Sequence, residues 1–201
     1  MMTEYDLSDC GLQGLNMLSI EGVLTKVRIV AGAPILFMLD EHHTTPACIK
    51  QNIQNTQVLI NGADVQALYV ESHKAGEAAS QLSLVSANSV FADHFIEQCQ
   101  VVIEGVENKE LHEQQHIDVA PPLWNEITVR SHPYDRARSL SFIASVFRNW
   151  RSRGMTGNAV LNMGGHHADD ICDWIALGAL DSLSGVSDLS YLRIRPTAHP
   201  P

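Results

Sequence analysis

Basic side chains are scarce in this chain: 13 Lys and Arg stand against 23 Asp and Glu, a formal charge of -10. No stretch gathers the cations that a phosphate-tracking surface requires, so nucleic acid is not expected as a partner. Long apolar runs are missing as well. None approaches the roughly 18 residues that span a bilayer, and Met1–Asp6 has neither the basic region nor the apolar segment of a secretion signal. The expectation is a cytoplasmic protein without a membrane span. Cysteine is sparse and scattered. Cys10, Cys48, Cys99 and Cys172 form no CxxC pair, which argues against a disulfide framework or a zinc knuckle, and three of them sit in apolar surroundings as core thiols. There are no internal repeats, no low-complexity tracts and no linker, so the 201 residues read as one domain, 1–201, with flexible tails at 1–14 and 196–201. Histidine, by contrast, is plentiful: ten residues, including two adjacent pairs. Acid–base or metal chemistry is where that surplus points.

Short apolar runs recur between segments long enough to be helices. Pro34–Leu39 reads as a buried strand, Ala67–Val70 as a second, Val101–Ile103 as a third, Ala159–Met163 as a fourth and Leu189–Ile194 as a last one ended by Pro196; Leu82–Val85 is a weaker candidate. Between the first two, Ile49, Ile53 and Ile60 are spaced for one helical face, with Asn61-Gly62 as the stop. Helices are also expected at 90–98, 136–153 and 168–180. The 136–153 segment carries Leu140, Ile143, Ala144 and Phe147 at three- and four-residue steps, with Asp135 and Gly154 as cap residues. The stretch 15–30 suits either a hairpin around Glu21-Gly22 or a helix. Strands alternating with helices imply βαβ units: an α/β fold with a mainly parallel sheet and helices on both faces, a Rossmann-like three-layer sandwich.

Open α/β sheets bind ligands just beyond the carboxyl ends of their strands. Here those positions are Asp40-Glu41-His42-His43, Glu71-Ser72-His73, Glu104-Gly105-Val106-Glu107 and Gly164-Gly165-His166-His167-Ala168-Asp169-Asp170. In a parallel sheet all four clusters fall on one edge, within reach of one small-molecule substrate. A carboxylate directly after a six-residue apolar strand, as at Glu41, must be solvated in a cleft or paired. Adjacent residues on a strand point to opposite sides, so only one member of each histidine pair should face the site.

The order of these segments resembles the superfamily that contains the erythromycin esterases, the ChaN-type haem-uptake proteins and the Tiki/TraB proteins. The apolar strand running into Asp40-Glu41-His42-His43 is similar to its Gly-Glu-x-His signature, with Glu41 and His43 on the Glu and His, and Asp40 where the family has Gly. Tyr69-Val70-Glu71 resembles its second strand, Gly105-Val106-Glu107 a third segment, and Asn162-Met163-Gly164-Gly165-His166 its late Gly-x-Gly-His strand end; a shift by one nominates His167 instead. The resemblance covers about residues 33 to 195. It implies Glu41, His43, Glu71 and His166 as acid–base residues of a hydrolase-like site, with Glu107 and His167 as further candidates. It also implies an arginine at the start of the helix before the last motif, Arg136 or Arg138, facing the site and holding an anionic group. Glu41, His43 and His166 would be the ligands of a divalent metal if one is bound, and the ChaN-type relatives imply haem binding as the competing activity.

One literal motif lies apart from this pattern. His112-Glu113-Gln114-Gln115-His116 matches the H-E-x-x-H of helical zinc proteases, but its neighbours Asn108-Lys109-Glu110 and Asp118 are polar, so it is expected to be a solvated helical face. No GxSxG turn surrounds Ser72 or Ser131, which gives no support for a serine triad. An edge strand, or the 189–194 strand, is where a homodimer would form.

Overall fold

A computed structural model describes residues 19–76, 90–96, 101–118, 133–183 and 189–200 of the protein. In chain order its elements are β1 (Val23–Arg28), β2 (Ile35–Glu41), α1 (Pro46–Gly62), β3 (Val65–Lys74), α2 (Val90–Ile96), β4 (Val102–Glu107), α3 (Lys109–Asp118), α4 (Pro133–Ser152), β5 (Asn158–Gly164), α5 (Gly165–Ala176) and β6 (Ser190–Arg195). The expected strand at 82–85 and the tail at 1–14 lie outside the described residues. Within the ambiguous 15–30 stretch, the described segment 23–28 is a strand.

The strands form one six-stranded sheet in the order β1-β6-β2-β5-β3-β4, parallel throughout except that β1 runs antiparallel to β6. β2 is buried along its whole length. Its side chains alternate between two apolar cores, as a strand covered on both sides must. Leu36 and Met38 join Phe142, Ile143 and Val146 of α4 and Ile171 and Ile175 of α5. Ile35, Phe37 and Leu39 join Ile49 and Leu59 of α1 and Phe91 and Phe95 of α2. This is an α/β fold with a mostly parallel sheet, consistent with a three-layer sandwich.

Several local expectations are corrected. α4 starts at Pro133, so Asp135 lies inside its first turn rather than capping it. Of its expected apolar stripe Ile143 and Phe147 are buried, but Leu140 is exposed, and the inward face also takes in Asp135, Arg138, Ser139, Phe142, Val146 and Trp150. α5 begins immediately after β5, three residues earlier than expected, and takes both His166 and His167 into its first turn. The alternation rule for strands therefore does not apply to that pair. β6 is flanked by β1 and β2 and is not an edge, so its backbone is already paired on both sides and cannot pair with a second copy. The segment after β6 meets α1: Gln51 Nε2 donates to Thr197 Oγ1 at 2.7 Å and the Ala198 N–H donates to Gln51 Oε1 at 2.8 Å. Among the described residues no helix is long and apolar enough to cross a membrane.

Candidate functional site

Because β2, β3, β4 and β5 run parallel, their carboxyl ends share one edge of the sheet. The placement of β5 decides which residues meet there. It enters between β2 and β3, and its register sets Gly164 beside Glu41 and Asn162 beside both Leu39 and Val70. On the far side β3 shifts register against β4 between Val70 and Lys74. Gly105 permits that close approach, since a Cβ there would meet the carbonyl oxygens of His73 and Lys74 at 2.3 Å. Glu71 sits within this irregular stretch, and β4 runs on to Glu107.

Glu41 ends β2 and is 5% exposed. One carboxylate oxygen is bonded by His43 Nδ1 at 2.8 Å, and the other accepts from Asn162 Nδ2. His43 Nε2 lies 3.5 Å from Glu71 Oε2, so the imidazole bridges two carboxylates. Burial disfavours its charge, but Glu71 and Glu41 outweigh that and push His43 up to about 10, making it an imidazolium at neutral pH. Glu41, His43, Glu71, His73 and Asn162, with Val70, Phe91 and Ala92, enclose a cavity of about 10 Å³, which is room for about one water.

Glu71 is the junction of the cluster. Its Oε2 accepts the Gly164 N–H at 2.6 Å, and its Oε1 accepts from Arg138 Nη2 at 3.1 Å and lies 3.5 Å from His167 Nε2. Burial alone would raise its carboxyl, yet His43 and His167 hold it well below the ordinary value. Arg138, buried on α4, forks onto Glu107 through Nε at 3.0 Å and Nη2 at 2.6 Å, and Nη1 donates to Gln115 Oε1 at 2.9 Å. Burial and the adjacent Glu71 push Glu107 up to about 7, against the Arg138 contacts that favour its charged form.

His166 and His167 both enter the site, their rings 4.0 Å apart between centroids. Asp135 Oδ1 lies 3.2 Å from His166 Nε2 and 3.9 Å from His167 Nε2, and it accepts from Gln115 Nε2 at 3.4 Å. Burial would raise the Asp135 carboxyl, but His166, His167 and Arg138 hold it below its ordinary value. His167 is fully buried, which lowers its pKa despite Glu71. A continuous chain of contacts thus runs Glu41–His43–Glu71–His167–Asp135–His166, braced by Arg138.

Each expected residue can now be placed. Glu41, His43, Glu71 and Glu107 meet at the edge of the sheet. His42 turns away to Thr45 Oγ1, 2.8 Å from its Nδ1. Thr45 stands at the α1 N-cap position, with its hydroxyl on His42 rather than on the helix. Of the two arginines, Arg138 is the one in the site; Arg136 is exposed and lies over the Trp174 ring. The expected ligand trio of Glu41, His43 and His166 gives way to Asp135, His166 and His167 as the group with ligand atoms close together. The H-E-x-x-H tract is helical, in α3, and is solvated as expected at Glu113, Gln114 and His116 but not along its whole length. His112 and Gln115 are buried, His112 and His116 bring their Nε2 atoms 3.1 Å apart, and burial and Arg138 push His112 down to about 4. No third ligand joins these two histidines among the described residues.

Sequence reasoning missed Asp135, Gln115, Ser139 and Asn162. The signal for the first was present: Asp135, Arg138 and Phe142 fall at i, i+3 and i+7, so two charged residues share the apolar stripe of α4. Asp40, which stands where the resemblance expected Gly, has its own partners. It is fully buried and accepts from Arg193 Nε at 2.8 Å, Arg193 Nη2 at 2.9 Å and Arg195 Nε at 3.1 Å.

Compared with protein-family models, curated proteins and solved structures, the chain matches none, and its chemistry rests on this geometry.

Proposed function

We propose that the protein is a hydrolase-like α/β domain, a three-layer sandwich of the kind found in the erythromycin esterase, ChaN and Tiki/TraB superfamily, and that Glu41 and His43 carry its acid–base chemistry. The observation that supports this reading is the water-sized cavity enclosed by Glu41, His43 and Glu71 at the carboxyl edge of the sheet. Glu41, oriented by Asn162, is the general base that takes a proton from a water in that cavity. His43, cationic between two carboxylates, is the general acid that protonates the leaving group. Glu71 keeps His43 charged and is itself positioned by Arg138 and the Gly164 N–H. His166 lies at the far end of the network, acting through Asp135.

The test is hydrolysis of a panel of carboxylic esters and peptides by the wild type and Glu41→Gln. The variant is expected to lose about 100- to 10,000-fold in kcat/KM and, by taking one carboxylate from the buried His43 pair, some thermal stability, so turnover is compared at a temperature where both proteins are folded. Equal turnover by both proteins would overturn the assignment. Absence of turnover, together with a Soret band in the purified protein, would replace it with a haem-binding reading. Absence of both would leave a member that keeps the fold without the activity.

A further inference from the structure

On the other side of Glu71 from the water-sized cavity, the orientation of His167 defines a separate feature. Its Nδ1 lies 2.8 Å from Ser139 Oγ. That hydroxyl has one proton, and its other neighbours, Asp170 Oδ2 at 3.0 Å and the Asp135 carbonyl at 3.2 Å, are both acceptors. When Ser139 donates to one of those it accepts from His167 Nδ1–H, and in that tautomer the Nε2 lone pair points inward. Nε2 is buried and has no hydrogen-bond partner. The groups nearest to it are Glu71 Oε1 at 3.5 Å and Asp135 Oδ1 at 3.9 Å, and these are acceptors too. Glu71 Oε1 already accepts from Arg138 Nη2 at 3.1 Å and Asp135 Oδ1 from Gln115 Nε2 at 3.4 Å, but the buried imidazole nitrogen between them has no hydrogen-bond partner, and a cation would join it to the two carboxylates. His166 Nε2 stands at the same point, 3.2 Å from Asp135 Oδ1, and its side chain, 26% exposed, opens a path to solvent.

We propose that Asp135, His166 and His167 bind a divalent transition-metal cation of the zinc type, with Glu71 Oε1 available as a fourth ligand. The ligand atoms of the three residues lie within 4.8 Å of one another. Bonds near 2.1 Å to zinc set tetrahedral ligands about 3.4 Å apart, so the 3.2, 3.5 and 3.9 Å separations need shifts of only a few tenths of an ångström. Two imidazoles select a borderline metal over calcium or magnesium, which require oxygen ligands. Ser139 is the outer partner that fixes the His167 tautomer, as ligating histidines require. The site shares Glu71 and His166 with the hydrolytic reading but takes neither Glu41 nor His43 as a ligand, so the two are tested separately.

The experiment is zinc titration of the chelator-treated full-length protein by calorimetry, with metal content after gel filtration. One zinc per chain is expected, not displaced by excess magnesium. His166→Gln, at a partly exposed position that leaves the core intact, and Asp135→Asn should each weaken binding on the order of 100-fold or more, since even the groups that only hydrogen-bond to a ligand are worth about 10- to 100-fold. Glu41→Gln and His112→Ala should bind zinc like the wild type. X-ray absorption of the loaded protein should show nitrogen and oxygen neighbours with imidazole scattering. Failure to retain zinc, retention unaffected by His166→Gln and Asp135→Asn, or loss on His112→Ala would each overturn the proposal. Zinc binding that survives Glu41→Gln while hydrolysis fails, or the reverse, separates this site from the acid–base reading.

Discussion

Replacing Arg138 by Met tests the charge arrangement of the whole site. Arg138 is 7% exposed and its guanidinium meets Glu107 through two bonds, Glu71 through one and Gln115 through another, with Asp135 Oδ1 3.7 Å away. Methionine fills much of the same space but leaves three buried carboxylates without their cation. Removing one partner of a buried ion pair costs about 3–5 kcal/mol. For a chain of this size each kcal/mol moves Tm by about 2–4 °C, which gives a fall of about 6–20 °C. The loss should depend on pH in a defined direction. Glu107 is already raised to about 7 with Arg138 in place, and without it the charged form is disfavoured further. A carboxyl whose folded pKa lies above its unfolded value of about 4.3 adds stability at low pH, and that contribution disappears as pH rises through the folded value. The deficit of Arg138→Met should therefore be large at pH 8 and clearly smaller at pH 5.5. Arg138→Lys should not restore the wild-type value, because an ammonium cannot fork onto Glu107. Urea denaturation at the two pH values measures all of this. A deficit equal at both, or no deficit, would refute the reasoning that the cluster is a buried ionised network.

Two further outcomes are expected. Asp40→Gly should destabilise the protein by about 1–3 kcal/mol, because the buried Arg193 loses the carboxylate that takes two of its bonds and keeps only Asp169 and the Gly165 carbonyl; chemical denaturation showing a neutral change would mean that Asp40 is not needed to hold Arg193. His43 should titrate near 10 rather than 6.5 when followed by NMR of labelled histidine, and Glu71→Gln should lower that midpoint; being raised, His43 contributes stability below about 6.5 that is lost as pH climbs toward 10, and a wild-type midpoint near 6.5 would contradict the bridge between Glu41 and Glu71.

The α/β class was legible because strand and helix are local patterns. Ile35 to Leu39 is too apolar for anything but a strand buried on both sides, and Glu41 and Glu71 announce themselves as charges at the ends of apolar runs. Cys48 and Cys172 are buried, as their apolar neighbours suggested, whereas Cys10 and Cys99 lie outside the described residues. Periodicity also found the helix that became α4 and put Ile143 and Phe147 on its buried side, but not Leu140, and not the inward Asp135 and Arg138, whose burial makes sense only once Glu71, Glu107 and the two histidines are in place around them. The sheet order is beyond local pattern altogether. β5 comes from late in the chain and enters between β2 and β3, a choice made by the fit of Val160 and Leu161 into the two cores rather than by any motif. That insertion brings Gly164 to Glu41 and His167 to Glu71, and the immediate start of α5 after β5 turns His166 and His167 together toward Asp135. The residue types of the site were written in the sequence; which of them touch was decided by long-range packing, because the free energy that sets strand order resides in the cores and not in the polar residues at their ends.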